Sequence, residues 1–237
     1  MPKPKIVPGM MCAYCAVEPA TEVEHIFPLR LIPKDERDQA KRGLIYAPAC
    51  GACNDRKRVT EETLAHALIG DTGDRDEHRS AMKLMLGPIA NAVRFNNSRV
   101  GAVLGDQLDS APVLWLPSAK GWEQMTFFTL TDELAGERLE TVRFMAKGLI
   151  NDAYGIIVPP GAVISVRSAN YLQRERVIKL LAGRIPLDQR LSGSLGEGIA
   201  DWVGAAAYSQ PDLSDLHAFI GIDFYRRSFY VVKIAPA

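Results

Sequence analysis

The sequence predicts an α+β fold in two parts, and three patterns lead to this prediction. All four cysteines fall within the first 53 residues, as two Cys-x-x-Cys pairs. Short strand-like segments and one helical segment lie between these pairs and directly after them. Longer helical and strand-like segments then follow one another up to a hairpin near the C-terminal end. We therefore expect a small unit over residues 1–70 and a larger mixed α+β domain over residues 71–237.

The bulk composition is that of an ordinary globular chain. It has 47% hydrophobic and 24% charged residues and a formal net charge of zero, which counts against a dedicated nucleic-acid coat protein. Residues 1–60 hold ten Lys and Arg against seven Asp and Glu, a modest basic bias compatible with phosphate contacts. No apolar run approaches the roughly 20 residues that span a bilayer, and no secretory signal is evident. The expected location is the cytoplasm.

The cysteines form the pairs Cys12/Cys15 and Cys50/Cys53. A secreted, oxidised chain would distribute its disulfides through the fold, whereas two Cys-x-x-Cys pairs in a cytosolic chain indicate a tetrahedral zinc site. Each tight turn directs two thiolates inward, so the pairs together supply four soft ligands for one structural Zn²⁺. The surrounding unit has too little apolar content to fold alone, and the metal is expected to substitute for a core.

Within residues 1–70 the pattern predicts two strands and a helix. Residues 22–26 suit a first strand, and residues 44–46 suit a second strand that ends at Pro48. A helix is expected from residue 54 to about residue 69, with an apolar face formed by Leu64, Ala67 and Leu68. The acidic loop over residues 70–77 is the expected domain boundary.

The larger domain is expected to contain three helices, several strands and a terminal hairpin. The helices are predicted over residues 78–97, 132–153 and 170–182. The second is expected to end at Gly155 and the third at Gly183. The strands are predicted over residues 113–116, 124–130, 156–158 and 163–166, and the hairpin over residues 217–224 and 228–234. The glycine-rich stretch 184–198 is expected to be a loop, and no chemical motif stands out in this part.

Three segments of the first quarter suggest a function: Cys12-Ala-Tyr-Cys15, Glu24-His25-Ile26-Phe27-Pro28, and Cys50-Gly-Ala-Cys53-Asn54-Asp55-Arg56-Lys57. In this order they resemble the HNH endonuclease family of the ββα-metal, or His-Me finger, superfamily. The similar branch has an acid-His-x-x-Pro strand between two zinc knuckles. The resemblance implies a zinc-stabilised ββα-metal finger and an enzyme that hydrolyses phosphodiester bonds in DNA, leaving a 5′-phosphate and a 3′-hydroxyl.

The resemblance also implies a role for each matching residue. His25 would be the general base, since an imidazole exchanges its proton near neutral pH. Glu24 and Asn54 would hold one catalytic Mg²⁺ or Mn²⁺, because these ions take carboxylate and amide oxygens as ligands. Arg56 and Lys57 would contact the nucleic-acid backbone.

The chain departs from the family pattern at two positions. The family's middle polar residue, usually Asn, falls near Leu44 or Ile45, and neither side chain can replace it. That residue mostly braces the loop and orients the histidine, so its loss is expected to weaken activity. The second departure is the acid, which is Glu24 where many members have Asp, although Glu is common in the similar branch. A further feature is neutral, since Arg58 stands where colicin-type members carry a further histidine ligand.

Two alternatives stay open. One is a catalytically weak or inactive zinc finger that binds nucleic acid or a protein while the C-terminal domain acts. The other is a nuclease effector of phage defence or a mobile element, in which residues 78–237 select the target. Either reading leaves room for a homo-oligomer or a defence-system partner protein.

Overall fold

The computed structural model describes residues 5–32, 37–40, 44–72, 113–118, 121–126, 131–169, 176, 203–207, 217–224 and 228–236. Its N-terminal part consists of two strands, a 3₁₀ turn and two helices. In chain order these are β1 (Glu22–His25), the 3₁₀ turn (Leu29–Leu31), the short helix α1 (Arg37–Ala40), β2 (Tyr46–Ala49) and α2 (Gly51–Thr72). None of the helices that the structure describes is long and apolar enough to cross a membrane.

Strands β1 and β2 pair in antiparallel register, with Val23 opposite Pro48 and His25 opposite Tyr46. The prediction that Pro48 ends the second strand is wrong, because β2 runs through it. The Pro48 carbonyl accepts a hydrogen bond from the Ala13 N–H at 2.9 Å. In a strand the N–H and C=O of one residue point to the same side, so the N–H that proline lacks would have pointed away from β1. The β1–β2 ladder therefore loses no hydrogen bond.

Helix α2 begins three residues before the predicted position, at Gly51. The Asn54 N–H donates to the Cys50 carbonyl at 3.0 Å, so the turn of the second cysteine pair is also the first turn of the helix. The predicted apolar face is confirmed, because Leu64, Ala67 and Leu68 are all buried. Residues 70–72 of the predicted boundary loop belong to the end of this helix.

Helix α3 (Asp132–Tyr154) agrees closely with the prediction over residues 132–153. Thr131 caps its start, with the hydroxyl accepting from the Leu134 N–H at 3.3 Å. Its end is the predicted one, since Gly155 adopts a left-handed φ of 67° and its N–H donates to the Asn151 carbonyl.

The remaining described strands form one hairpin and one four-stranded antiparallel sheet. The hairpin pairs β3 (Val113–Ser118) with β4 (Gly121–Thr126). The sheet has the order β5-β8-β7-β6, built from β5 (Val163–Ala169), β6 (Val203–Ala207), β7 (Ala218–Phe224) and β8 (Ser228–Ala235). The predicted terminal hairpin is confirmed as the β7–β8 pair.

Some predictions for the larger domain fail or cannot be assessed. Residues 156–158 are not a strand, and β5 instead pairs with β8. Three predicted elements lie outside the described residues, apart from the helical position 176: the helices over 78–97 and 170–182 and the loop over 184–198. The predicted boundary between the two domains stays a prediction.

Helix α3 links the two parts of the chain. It packs against α2 and β2 of the N-terminal part and against β5 and β8 of the four-stranded sheet. The buried residues around it form a cluster that extends from Cys12 to Ile234. The N-terminal unit therefore does not rely on the cysteine site alone, because its own buried apolar residues pack with those of α3 in one core.

Helix α3 packs tightly against the N-terminal unit at Gly148. A Cβ atom at this position would lie 2.8 Å from Cγ1 of Ile26, which is fully buried directly after β1. A glycine in a helix interior costs about 1 kcal/mol relative to alanine. The helix bears this cost because only glycine leaves room for Ile26.

We predict that Gly148→Ala lowers the free energy of unfolding by about 1–3 kcal/mol, the typical cost of overpacking a core. Gly136→Ala is the matched control, because Gly136 is an exposed position of α3 with open space at its Cβ. That control should raise stability by roughly 0.5–1 kcal/mol. Chemical denaturation measures both variants. Equal stabilisation by the two substitutions would show that the contact between Gly148 and Ile26 does not constrain the packing.

Candidate functional site

The four cysteines converge on one point, as predicted. Their sulfur atoms lie within 4.8 Å of one another, and Cys12 and Cys50 are buried while Cys15 and Cys53 are half-buried. The sulfurs of Cys15 and Cys50 are 3.9 Å apart, and all four cysteines are free thiols. Zinc–sulfur bonds of about 2.3 Å place neighbouring sulfurs of a tetrahedron about 3.8 Å apart. The cluster therefore has a size and chemistry that fit a metal ion such as zinc.

Backbone groups orient the sulfurs of the first pair. The Tyr14 N–H donates to Sγ of Cys12 at 3.4 Å, and the Glu18 N–H donates to Sγ of Cys15 at 3.5 Å. A tight turn closes between the Ala16 N–H and the Cys12 carbonyl. Ala16 has a φ of 59°, a left-handed conformation that is uncommon for a residue other than glycine. In this part of the chain the backbone is folded around the sulfurs.

The second pair lies at the N-terminus of α2, where the helix dipole favours negative charge. Burial raises the pKa of Cys50. The pKa of Cys53 is raised well above its ordinary value, mainly by burial and further by its hydrogen bond with Cys50 and the charges of the neighbouring thiolates. For Cys15 burial also acts upward, but hydrogen bonds from the Glu18 and Val17 backbone outweigh it, and the pKa falls to about 7. Four crowded thiolates repel one another, so a bound cation is what lets all four ionise.

His25 is the last residue of β1 and is half-buried. Its ring lies against the ring of Tyr46, with 4.7 Å between centroids and 41° between planes. Because side chains alternate along a strand, Val23, His25, Tyr46 and Pro48 share one face of the strand pair, and Glu24 lies on the other. A cavity of about 640 Å³ opens on the His25 side, lined in part by Val23, Tyr46 and Pro48.

Glu24 points towards α2, where it meets Lys57. The Lys57 side chain is fully buried, and its Nζ donates to the His25 carbonyl at 2.6 Å. The same Nζ lies 2.5 Å from Oε1 of Glu61 and 3.5 Å from Oε1 of Glu24. Burial raises the pKa of Glu61, and the Lys57 ammonium opposes this rise. One ammonium thus binds three oxygens, and the two from Glu24 and His25 tie the end of β1 to α2.

The other predicted site residues of α2 lie at or near its surface. Asn54 is half-buried and precedes Lys57 by three residues, so the two are neighbours on one face of the helix. Arg56 is exposed and pairs with Glu140 of α3 at 3.2 Å. The predicted contact of Lys57 with nucleic acid stays a prediction, although in the described structure its ammonium is enclosed and bound to three protein oxygens.

Sequence reasoning overlooked Glu61 and Tyr14. Glu61 follows Lys57 by four residues, the usual spacing of a helical ion pair, and this spacing was the available signal. Tyr14 lies within the first cysteine pair and packs edge-on against Phe144 of α3 at 5.2 Å. The Lys147 Nζ donates to the Tyr14 carbonyl at 2.5 Å. These contacts join α3 to the cysteine cluster, and a pattern within the first 70 residues cannot reveal them.

The Tyr14 hydroxyl is buried and has no hydrogen-bond partner among the described residues. Burial raises its pKa well above the ordinary value, and the carboxylates of Glu24 and Glu61 raise it further. The tyrosine therefore stays protonated near neutral pH.

Comparison of the chain with protein-family models, with curated proteins and with solved structures gives no match. The geometry of the described residues is therefore the basis for any functional conclusion.

We predict that the purified chain carries about one zinc ion and that Cys15→Ser or Cys53→Ser lowers this content several-fold, because three thiolates hold zinc less well than four. A strong chelator should also lower the midpoint of thermal unfolding, since metal binding contributes to folding free energy. Metal analysis and a melting curve measure these effects. Ala52→Ser is the matched control, because Ala52 is exposed within the second pair and offers no ligand. Full zinc content in both cysteine variants would contradict a four-thiolate site.

Proposed function

We propose that this chain is a metal-dependent endonuclease of the HNH type that hydrolyses phosphodiester bonds in DNA. In this proposal β1, β2 and α2 form a ββα-metal finger around a structural zinc ion. The main support is the placement of Glu24, whose carboxylate lies 3.5 Å from the ammonium of Lys57, about one helical turn along α2 from Asn54. That helix begins within the second cysteine pair, so the cysteine cluster fixes its position relative to β1.

The donor set fits a hard divalent cation. Glu24 offers a carboxylate that is 22% exposed, and its contact with Lys57 uses Oε1. Asn54 offers an amide oxygen from a half-buried position on the facing helix. Two oxygen ligands with room for water and phosphate suit Mg²⁺ or Mn²⁺. Glu24 and Asn54 would therefore hold the ion, at a site separate from the four sulfurs.

The mechanism assigns one task to each residue. His25 and Glu24 leave the end of β1 on opposite faces, so they would act on opposite sides of one phosphate. On its side, His25 accepts a proton from water, whose oxygen then bonds to phosphorus while the bond to the 3′ oxygen on the other side breaks. The products are a 5′-phosphate and a 3′ oxygen that takes up a proton. The divalent ion, when bound, neutralises the phosphate and its leaving oxygen. Arg56 binds a backbone phosphate, and its exposed pair with Glu140 is weak enough to exchange.

The backbone of His25 is braced from α2. Leu44 and Ile45 are buried apolar residues, so neither supplies a polar brace. Lys57 instead donates to the His25 carbonyl at 2.6 Å. This contact fixes the backbone at the end of β1, from which the His25 side chain extends. It does so although no polar residue stands at position 44 or 45 before β2.

A second candidate function is a zinc-stabilised module that binds nucleic acid without cutting it. The ion pair between Lys57 and Glu24 favours it, because an internal ammonium already lies beside one of the proposed metal ligands. In the binding module Glu24 would have a structural role only. Binding of DNA without cleavage, under conditions that load both metals, would favour this second function.

We predict that the zinc-loaded chain cleaves DNA when Mg²⁺ or Mn²⁺ is added and that His25→Ala slows cleavage at least 100-fold, the usual contribution of a general base. A time course on plasmid and linear DNA measures the rate. His217→Ala is the matched control, since His217 is an exposed histidine directly before β7, and its rate should equal that of the wild type. Intact DNA with the wild-type chain, at full zinc content and with either ion, would rule out the nuclease.

A further inference from the structure

The ammonium of Lys57 lies between two carboxylates at unequal distances. Its Nζ is 2.5 Å from Oε1 of Glu61 and 3.5 Å from Oε1 of Glu24. The Glu61 side chain is 9% exposed, whereas the Glu24 side chain is 22% exposed. The buried lysine thus has a close internal partner on its own helix and a more distant, more accessible partner on β1.

The two distances indicate which carboxylate is the main counter-charge of Lys57. A buried ammonium needs an opposite charge, and the attraction falls as the separation grows. Glu61 is therefore the main counter-charge, and Glu24 keeps most of its negative charge. Glu24 is also the carboxylate that a cation from solvent can reach.

We propose that Glu61 is a positioning residue for the divalent-metal site: it takes the shorter contact with the Lys57 ammonium, keeps the contact of that ammonium with Glu24 long, and so lets Glu24 bind the metal. The inference rests on the proposed function, because it takes Glu24 as a ligand. Glu61 touches neither metal nor substrate in this role. Without the Glu61 charge, Lys57 would have Glu24 as its nearest carboxylate and would compete with the divalent ion.

The test is binding of Mn²⁺ to the zinc-loaded full chain, followed by electron paramagnetic resonance of free Mn²⁺. Glu61→Gln keeps the shape of the side chain and removes its charge, and it should weaken Mn²⁺ binding by roughly tenfold through the competing ammonium. Removing that ammonium as well, in the double variant Lys57→Met with Glu61→Gln, should recover part of the lost affinity, less than the whole because the variant also loses the contact of Lys57 with the His25 carbonyl. A merely structural role predicts the opposite order, since the double variant loses more polar contacts.

Glu62→Gln is the matched control, because it removes a negative charge from the next position of α2, and it should bind Mn²⁺ like the wild type. Zinc content and circular dichroism establish that each variant is folded. If Glu61→Gln does not fold, Glu61→Asp keeps the charge but reaches less far towards Lys57, and it should weaken Mn²⁺ binding by a smaller factor.

The outcomes separate the inference from the proposed function. A wild-type chain that binds zinc but no Mn²⁺ overturns the metal site and the role of Glu61 together. Binding by the wild type that is lost in Glu24→Ala but unchanged in the folded Glu61 variant overturns the role of Glu61 alone. A double variant that binds as weakly as Glu61→Gln also overturns it, because competition by Lys57 would then not be the cause.

Discussion

The convergence of four thiols sets the geometry of the N-terminal unit. Cys12 and Cys15 belong to a turn before β1, and Cys50 and Cys53 belong to the first turn of α2. The four sulfur atoms of these turns lie within 4.8 Å of one another. This proximity fixes where α2 starts relative to the strand pair. The arrangement is electrostatically unfavourable without a cation, since burial and mutual repulsion raise the pKa of Cys50 and Cys53. A bound metal ion would replace this repulsion with attraction and would hold the two cysteine turns together.

Helix α3 provides a second, independent support. Gly148 lets it approach Ile26, and Lys147 donates to the Tyr14 carbonyl inside the first cysteine turn. Phe144 packs edge-on against the Tyr14 ring. Part of the apolar core around the first 70 residues thus comes from a helix more than 60 residues further along the chain. Metal and packing share the stabilisation of the unit, so loss of the metal need not unfold all of it.

Local patterns in the sequence were sufficient to predict the fold wherever short-range interactions decide the structure. The spacing of the cysteines predicted their cluster, the 3.6-residue period predicted α3, and Gly155 marked its end. Predictions failed where a distant partner decides. Pro48 lies inside β2 because Ala13 uses its carbonyl, and residues 156–158 are not a strand because β8 pairs with β5 instead.

The candidate site shows the same division between local and distant effects. The sequence identified Glu24, His25 and Asn54 from their order along the chain. It could not show that Lys57 is buried, because a lysine after a helix start is usually exposed. The burial follows from three oxygens that β1 and α2 contribute together, among them the carbonyl of His25. Lys57, which the sequence suggested to be at the surface, is buried and links β1 to α2.

A crystal structure of the zinc-loaded chain grown with Mn²⁺ tests most directly whether the cysteine cluster builds a second metal site between β1 and α2. Anomalous scattering on either side of the zinc and manganese edges distinguishes the two ions. The expected result is zinc bound by four sulfurs and manganese bound by Glu24 and Asn54, with Lys57 still on Glu61. Manganese bound elsewhere, or zinc missing from the sulfurs, would contradict the proposed site.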